Sequence, residues 1–88
     1  TNMNRSAWSW IGDPAALGVA IRDARRSRGL QQIDLSERLG VSRMTISRME
    51  RGEAVSTDTA LRALAECGLE LVVVPKFAHI EVTDGQTR

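Results

Sequence analysis

The sequence has one cysteine, one histidine, two prolines, one phenylalanine and no tyrosine. A lone Cys67 can close no internal disulfide, so nothing points to an oxidising compartment. Cys67 and His79 together are too few soft ligands for a zinc site. There is no Gly-rich phosphate loop, and no nucleophile adjoins the single His, which argues against an enzyme and against a bound cofactor. The longest apolar run, residues 71–74, is far short of the about 20 residues needed to cross a bilayer. No basic cluster leads into an apolar run of signal-peptide length. The expectation is a soluble cytoplasmic protein with no membrane or small-molecule partner.

The scarcity of aromatics also shapes the core. With 42% hydrophobic residues but only two Trp and one Phe, the interior must be built from Leu, Ile, Val, Ala and Met. Eighty-eight residues make one domain with a modest core, for which helix-on-helix packing is the economical solution.

A formal net charge of +1 conceals an asymmetry. Residues 22–51 carry eight Arg against four acidic residues, while the rest of the chain is slightly acidic. A local field made only of Arg suits phosphate and guanine, because the guanidinium fork matches both bidentately. A solvated helix face is the alternative explanation.

Along the chain, residues 1–12 read as an arm with Trp8 and Trp10 as anchors. Asp13-Pro14 is a helix start, since Asp accepts from free N–H groups of the first turn and Pro loses nothing there. The first helix is expected from Pro14 to Arg28, with Leu17, Ala20, Ile21 and Ala24 inward and Gly29 ending it. A second follows from Gln32 to Leu39, with Leu35 and Leu39 on one face. Gly40-Val41-Ser42 interrupts the pattern, and Ser42 caps a third helix through Arg51 whose inward residues are Ile46 and Met49. Ser56 or Thr57 caps a fourth, with Leu61 and Leu64 inward and Gly68 at its end.

The period then changes. Residues 69–75, rich in Leu and Val and ended by Pro75, read as a strand. A single strand cannot satisfy its own donors and acceptors. Its partner is either the same strand of a second subunit or residues 78–83 folding back as a hairpin. The expected organisation is thus an arm over 1–12, a helical domain over 13–68, a strand over 69–75 and a tail over 76–88. The fold class is all-α, four helices with one short strand.

Residues 32–49 are the informative stretch. Leu35 and Leu39 face inward, Ser36 is small enough for two helices to approach, Gly40 makes the turn, and Val41, Ile46 and Met49 fasten the second helix to the first. These are the requirements of a helix-turn-helix. Helical geometry sets Arg43, Met44, Ser47 and Arg48 away from Ile46 and Met49, so the unpacked face is the readable one. Arg fits guanine O6 and N7, and Met offers apolar contact to a thymine methyl.

With Arg25-Arg26-Ser27-Arg28-Gly29-Leu30-Gln31-Gln32, Leu35-Ser36, Leu39-Gly40-Val41-Ser42 and Thr45-Ile46-Ser47-Arg48-Met49-Glu50-Arg51-Gly52, residues 15–67 resemble the XRE, or Cro-type, family of phage repressors and bacterial regulators. Two departures are Ser36, where that family usually has Ala, and the lack of Pro in the Glu53-Ala54-Val55 loop. The resemblance implies a lambda-repressor-like domain that binds double-stranded DNA. It implies that Gln32 holds a phosphate, that Arg43, Met44 and Arg48 reach base edges, and that Thr45 and Ser47 touch phosphate or a thymine methyl, with Ser42 supporting. It also implies that Glu50 pairs with Arg25, tying the third helix to the first. Cys67 reads as a small buried apolar residue.

Proteins of this type bind as two-fold dimers on inverted half-sites. Leu69, Leu71, Val72, Val73 and Val74 are the expected homodimer strand, with Leu71 and Val73 buried against helices. A short four-helix domain followed by such a strand is also similar to antitoxins of the HipB type, which implies a HipA-like kinase toxin as partner. A stand-alone phage-type repressor is the alternative. So is an adaptor that binds protein through Trp8, Trp10 and Phe77, although those side chains are expected to cover the core near the first helix.

Overall fold

Short polar side chains set the helix starts. In the computed structural model, which describes residues 8–82, Asp13 Oδ1 accepts the Ala16 N–H at 2.8 Å and Pro14 begins α1 (Pro14–Ser27). Asp34 accepts the Gln31 N–H at 2.7 Å at the head of α2 (Gln32–Leu39). Ser42 and Ser56 each accept an N–H three residues on, at 3.1 and 3.0 Å, and start α3 (Arg43–Glu50) and α4 (Thr57–Glu66). Each such cap is worth about 1 kcal/mol. The expected arm before Trp8 and the tail from Thr83 lie outside the described residues.

With eight residues each, α2 and α3 are too short to hold in water on their own. They are held by a core to which every helix contributes: Ile21 of α1, Leu35 and Leu39 of α2, Ile46 and Met49 of α3, and Ala60, Ala63 and Leu64 of α4. Each large aliphatic side chain in it is worth roughly 1.5–3 kcal/mol of burial. Cys67 completes this core as a free thiol, and burial pushes its pKa up. Ser36 is buried between helices and donates to the Ile33 carbonyl at 2.8 Å.

Two glycines decide the arrangement. At φ +72°, Gly40 takes a left-handed conformation that a side chain opposes, and swings the chain from α2 into α3. Gly18 lets α1 meet the end of α3, since a Cβ there would lie 2.5 Å from the Met49 carbonyl oxygen and 2.7 Å from that of Glu50. Arginines finish helix ends from a distance: Arg62 donates to the Leu39 carbonyl at 2.8 Å and Arg28 to that of Cys67 at 3.1 Å.

Three expectations are corrected. First, Leu61 is exposed; the buried stripe of α4 is Ala60, Ala63, Leu64 and Cys67, and Leu61 lies about 100° round the helix from Ala60. Second, residues 69–75 form no strand, and neither do 78–82. The chain reverses at Pro75–Ala78, closed by the Ala78 N–H on the Pro75 carbonyl at 3.1 Å, but no ladder follows. Leu69 packs against the core, whereas Leu71, Val72, Val73 and Val74 are exposed, Val73 by 91%. Within one chain Leu71 and Val73 are thus not buried against helices, and the ladder expected of them needs a second edge. Third, Phe77 is 97% exposed, at φ +65°, and Trp8 and Trp10 are exposed too, so these aromatics do not cover the core. The two indoles meet edge to face with centroids 5.3 Å apart. Among the described residues no helix is long and apolar enough to cross a membrane.

Candidate nucleic-acid interface

The turn at Gly40 and the cap at Ser42 bring the start of α3 beside the start of α2. Arg43 Nη1 donates to Gln32 Oε1 at 2.8 Å. Gln32 Nε2 donates to Glu50 Oε1 at 3.0 Å. Glu50 in turn accepts two bonds from Arg25, from Nε at 2.7 Å and Nη2 at 2.9 Å, and Arg25 Nη1 donates to the Leu30 carbonyl at 2.8 Å. A continuous chain of bonds thus runs from the interior, through Arg25, Glu50 and Gln32, to an exposed guanidinium at the head of α3.

The inner end of that chain is rigid. The Arg25 and Glu50 side chains are only 8% and 3% exposed, and hydrogen bonding to Glu50 holds the Arg25 pKa above its usual value. The pairing inferred from the family resemblance is therefore present. A buried pair of this kind adds little net stability but is costly to break from one side. Its evident use here is geometric. It fixes Glu50, Glu50 orients the Gln32 amide, and the amide aims Arg43. The Gln32 amide is thus held from both ends, its nitrogen donating to Glu50 and its oxygen accepting from Arg43.

The other expected residues lie on α3 or at its cap. Arg43, Met44 and Arg48 are exposed, Met44 by 49%, while Ile46 and Met49 beneath them are buried. Thr45 Oγ1 and Ser42 Oγ share a hydrogen bond of 3.0 Å. Ser47 Oγ accepts from Arg51 Nη1 at 2.6 Å. Ser42, Thr45 and Ser47 are thus already partnered, as supports of the helix and its arginines.

Two contributors escaped the sequence reading. Arg51 and Glu53 form an ion pair at 3.0 Å, and Arg48 Nε lies 3.9 Å from the same carboxylate. The signal was the acidic residue just past Gly52, read only as loop. The Arg-rich field is also smaller than its count. Arg25 is neutralised inside, Arg28 is spent on the Cys67 carbonyl, and Arg38 lies 3.7 Å from Glu66.

Residues 21–73 match the family described as Helix-turn-helix. The chain belongs to this helix-turn-helix family of DNA-binding regulators. It is 34% identical over 73 residues to the ImmF control region 10 kDa protein of Bacillus phage phi105, covering 82% of this chain and 80% of that one. In three dimensions it is similar to HipB: a complex of a HipB variant with an O2 20mer superimposes with a TM-score of 0.72 at 22% identity, over 80% of this chain and 99% of that chain. A chain of the HipA–HipB–O2–O3 complex gives 0.70 at 23%, over 78% and 99%. A chain of a toxin-antitoxin module from Streptococcus pneumoniae gives 0.59 at 39%, over 72% of this chain and 70% of that one. The fold is thus that of an XRE-type regulator.

Proposed function

We propose that this helix-turn-helix protein is a sequence-specific transcriptional repressor and the antitoxin of a HipAB-like operon, binding its own operator and a kinase toxin in the cytoplasm. The observation that carries the DNA-reading half is the relay Arg25–Glu50–Gln32–Arg43, which anchors an exposed Arg at the head of α3 to the buried core. Arg43 and Arg48 read guanines, Met44 meets a thymine methyl, and Gln32 takes a phosphate. Ser42, Thr45 and Ser47 hold the helix and its arginines in place.

Residues 13–68 act as the DNA-binding unit and 69–75 as the dimerisation segment. Paired with its symmetry mate, this segment satisfies its own edge, covers the exposed valines, and sets two recognition helices about 34–36 Å apart on an inverted repeat. The antitoxin role draws support from the HipB-like fold together with 39% identity to a chain of a toxin-antitoxin module. A second reading, a phage-type repressor without a toxin, is favoured by the phage relative at 34% identity.

A mobility-shift titration on the region upstream of the gene tests DNA reading. Saturable binding that weakens steeply with salt is expected, about 0.9 log units in affinity per log unit of salt for each phosphate contacted. No saturable binding at low salt would leave an adaptor that binds protein alone. Co-purification with the product of a neighbouring kinase-like gene separates antitoxin from stand-alone repressor.

A further inference from the structure

The arginines of α3 are held in two different ways. Arg43 rests on the neutral oxygen of Gln32, which leaves its charge uncancelled. Arg48 and Arg51, three residues apart on the last turn, converge on one carboxylate. The turn after α3 is closed by the Glu53 N–H on the Arg48 carbonyl at 2.9 Å, which brings residue 53 back under the helix end. There Glu53 Oε2 accepts from Arg51 Nε at 3.0 Å and Oε1 lies 3.9 Å from Arg48 Nε, while Arg51 also reaches Ser47 at 2.6 Å. All three charged side chains are about half exposed, at 56, 54 and 50%. The helix dipole does not explain this placement, because a carboxylate at a helix C-terminus is opposed by it. The two arginines do.

We propose that Glu53 is an internal counter-ion that competes with DNA for Arg48 and Arg51, and that it suppresses binding to non-cognate DNA more than to the operator. This rests on the DNA-reading function proposed above. An exposed pair of this kind contributes little to stability and is easily exchanged for a stronger anion. On arbitrary sequence both arginines can gain only phosphates, and each phosphate gained leaves the Glu53 carboxylate facing like charge. On the operator, Arg48 exchanges its distant pair for the bidentate edge of a guanine, while Arg51 keeps Glu53 neutralised. The penalty therefore falls mainly on unspecific binding.

The test compares wild type with Glu53→Gln and Glu53→Ala, full chain, on the upstream region and on a scrambled duplex of equal length across a salt series. Both variants are expected to bind the scrambled duplex roughly 3- to 10-fold tighter at low salt, with a salt slope steeper by about 0.9, the increment for one more phosphate contact. Glu53→Asp should stay near wild type. The gain on the upstream region should be smaller, so discrimination falls. Unchanged slopes and unchanged discrimination, with wild type binding normally, would overturn the role of Glu53 and leave the DNA-reading function standing. A wild type that binds neither duplex would overturn both.

Discussion

The helical part, residues 14–67, and the extended part, residues 69–82, meet the same two demands of satisfying backbone polar groups and burying apolar side chains. The helices close their own hydrogen bonds and bury Ile21, Leu35, Ile46 and Ala63 completely. The extended part holds an apolar run as rich as any in the helices, yet leaves Val72 and Val73 mostly exposed. The difference lies in where the partner is. A helix finds its hydrogen-bond partners four residues away, and its packing partners here sit on neighbouring helices. An extended segment needs another edge, and 78–82 does not supply a ladder although the turn at Pro75–Ala78 brings the chain back. The first region is finished by folding, and the second leaves its apolar side chains uncovered in the single chain.

Substitutions can break the self-sufficiency of the first region. The largest effect is expected for Arg25→Ala, which strands the Glu50 carboxylate in the interior and should cost about 3–5 kcal/mol in a denaturant titration. Gly18→Ala comes next. The added methyl meets the Met49 and Glu50 carbonyls, and prying α1 from α3 should cost about 1–3 kcal/mol. For Val73→Pro the unfolding free energy of the bundle should change by less than about 0.5 kcal/mol, because Val73 touches little. If the proposed dimer pairs through this segment, the same substitution should release monomers on size-exclusion chromatography. A dimer that survives it would place the interface elsewhere, with α4 and its exposed Leu61 the next surface to examine.

The same contrast explains what was legible in the sequence. Helix starts at Asp13, Ser42 and Ser56 were legible because a cap is a contact between residues three apart, and α2 was legible over Gln32–Leu39 because Leu35 and Leu39 mark its face. The inward side of α4 was misjudged by one position. Leu61 and Leu64 look like a stripe, but small Ala60 and Ala63 are buried beside Leu64 while Leu61 is exposed, and side-chain size does not announce that. The strand was misread in a single chain because a ladder is a property of two edges. At the interface, Arg43, Met44 and Arg48 were legible as the unpacked face of α3. The link from Arg43 through Gln32 to Glu50 was not, since it crosses from one helix to the next. Nor was Glu53, whose position depends on the turn at Gly52.

A buried ion pair holds an exposed arginine at the head of α3, and the proposed function has that arginine read base edges. That role is tested most directly by measuring the affinity of Arg43→Ala for the upstream region and for a scrambled duplex by fluorescence anisotropy, with folding checked by circular dichroism. The prediction is a loss of about 1–3 kcal/mol on the upstream region, a smaller loss on the scrambled duplex, and relaxed preference at one base position. An Arg43→Ala protein that folds normally and binds the upstream region as tightly and as selectively as wild type would contradict it.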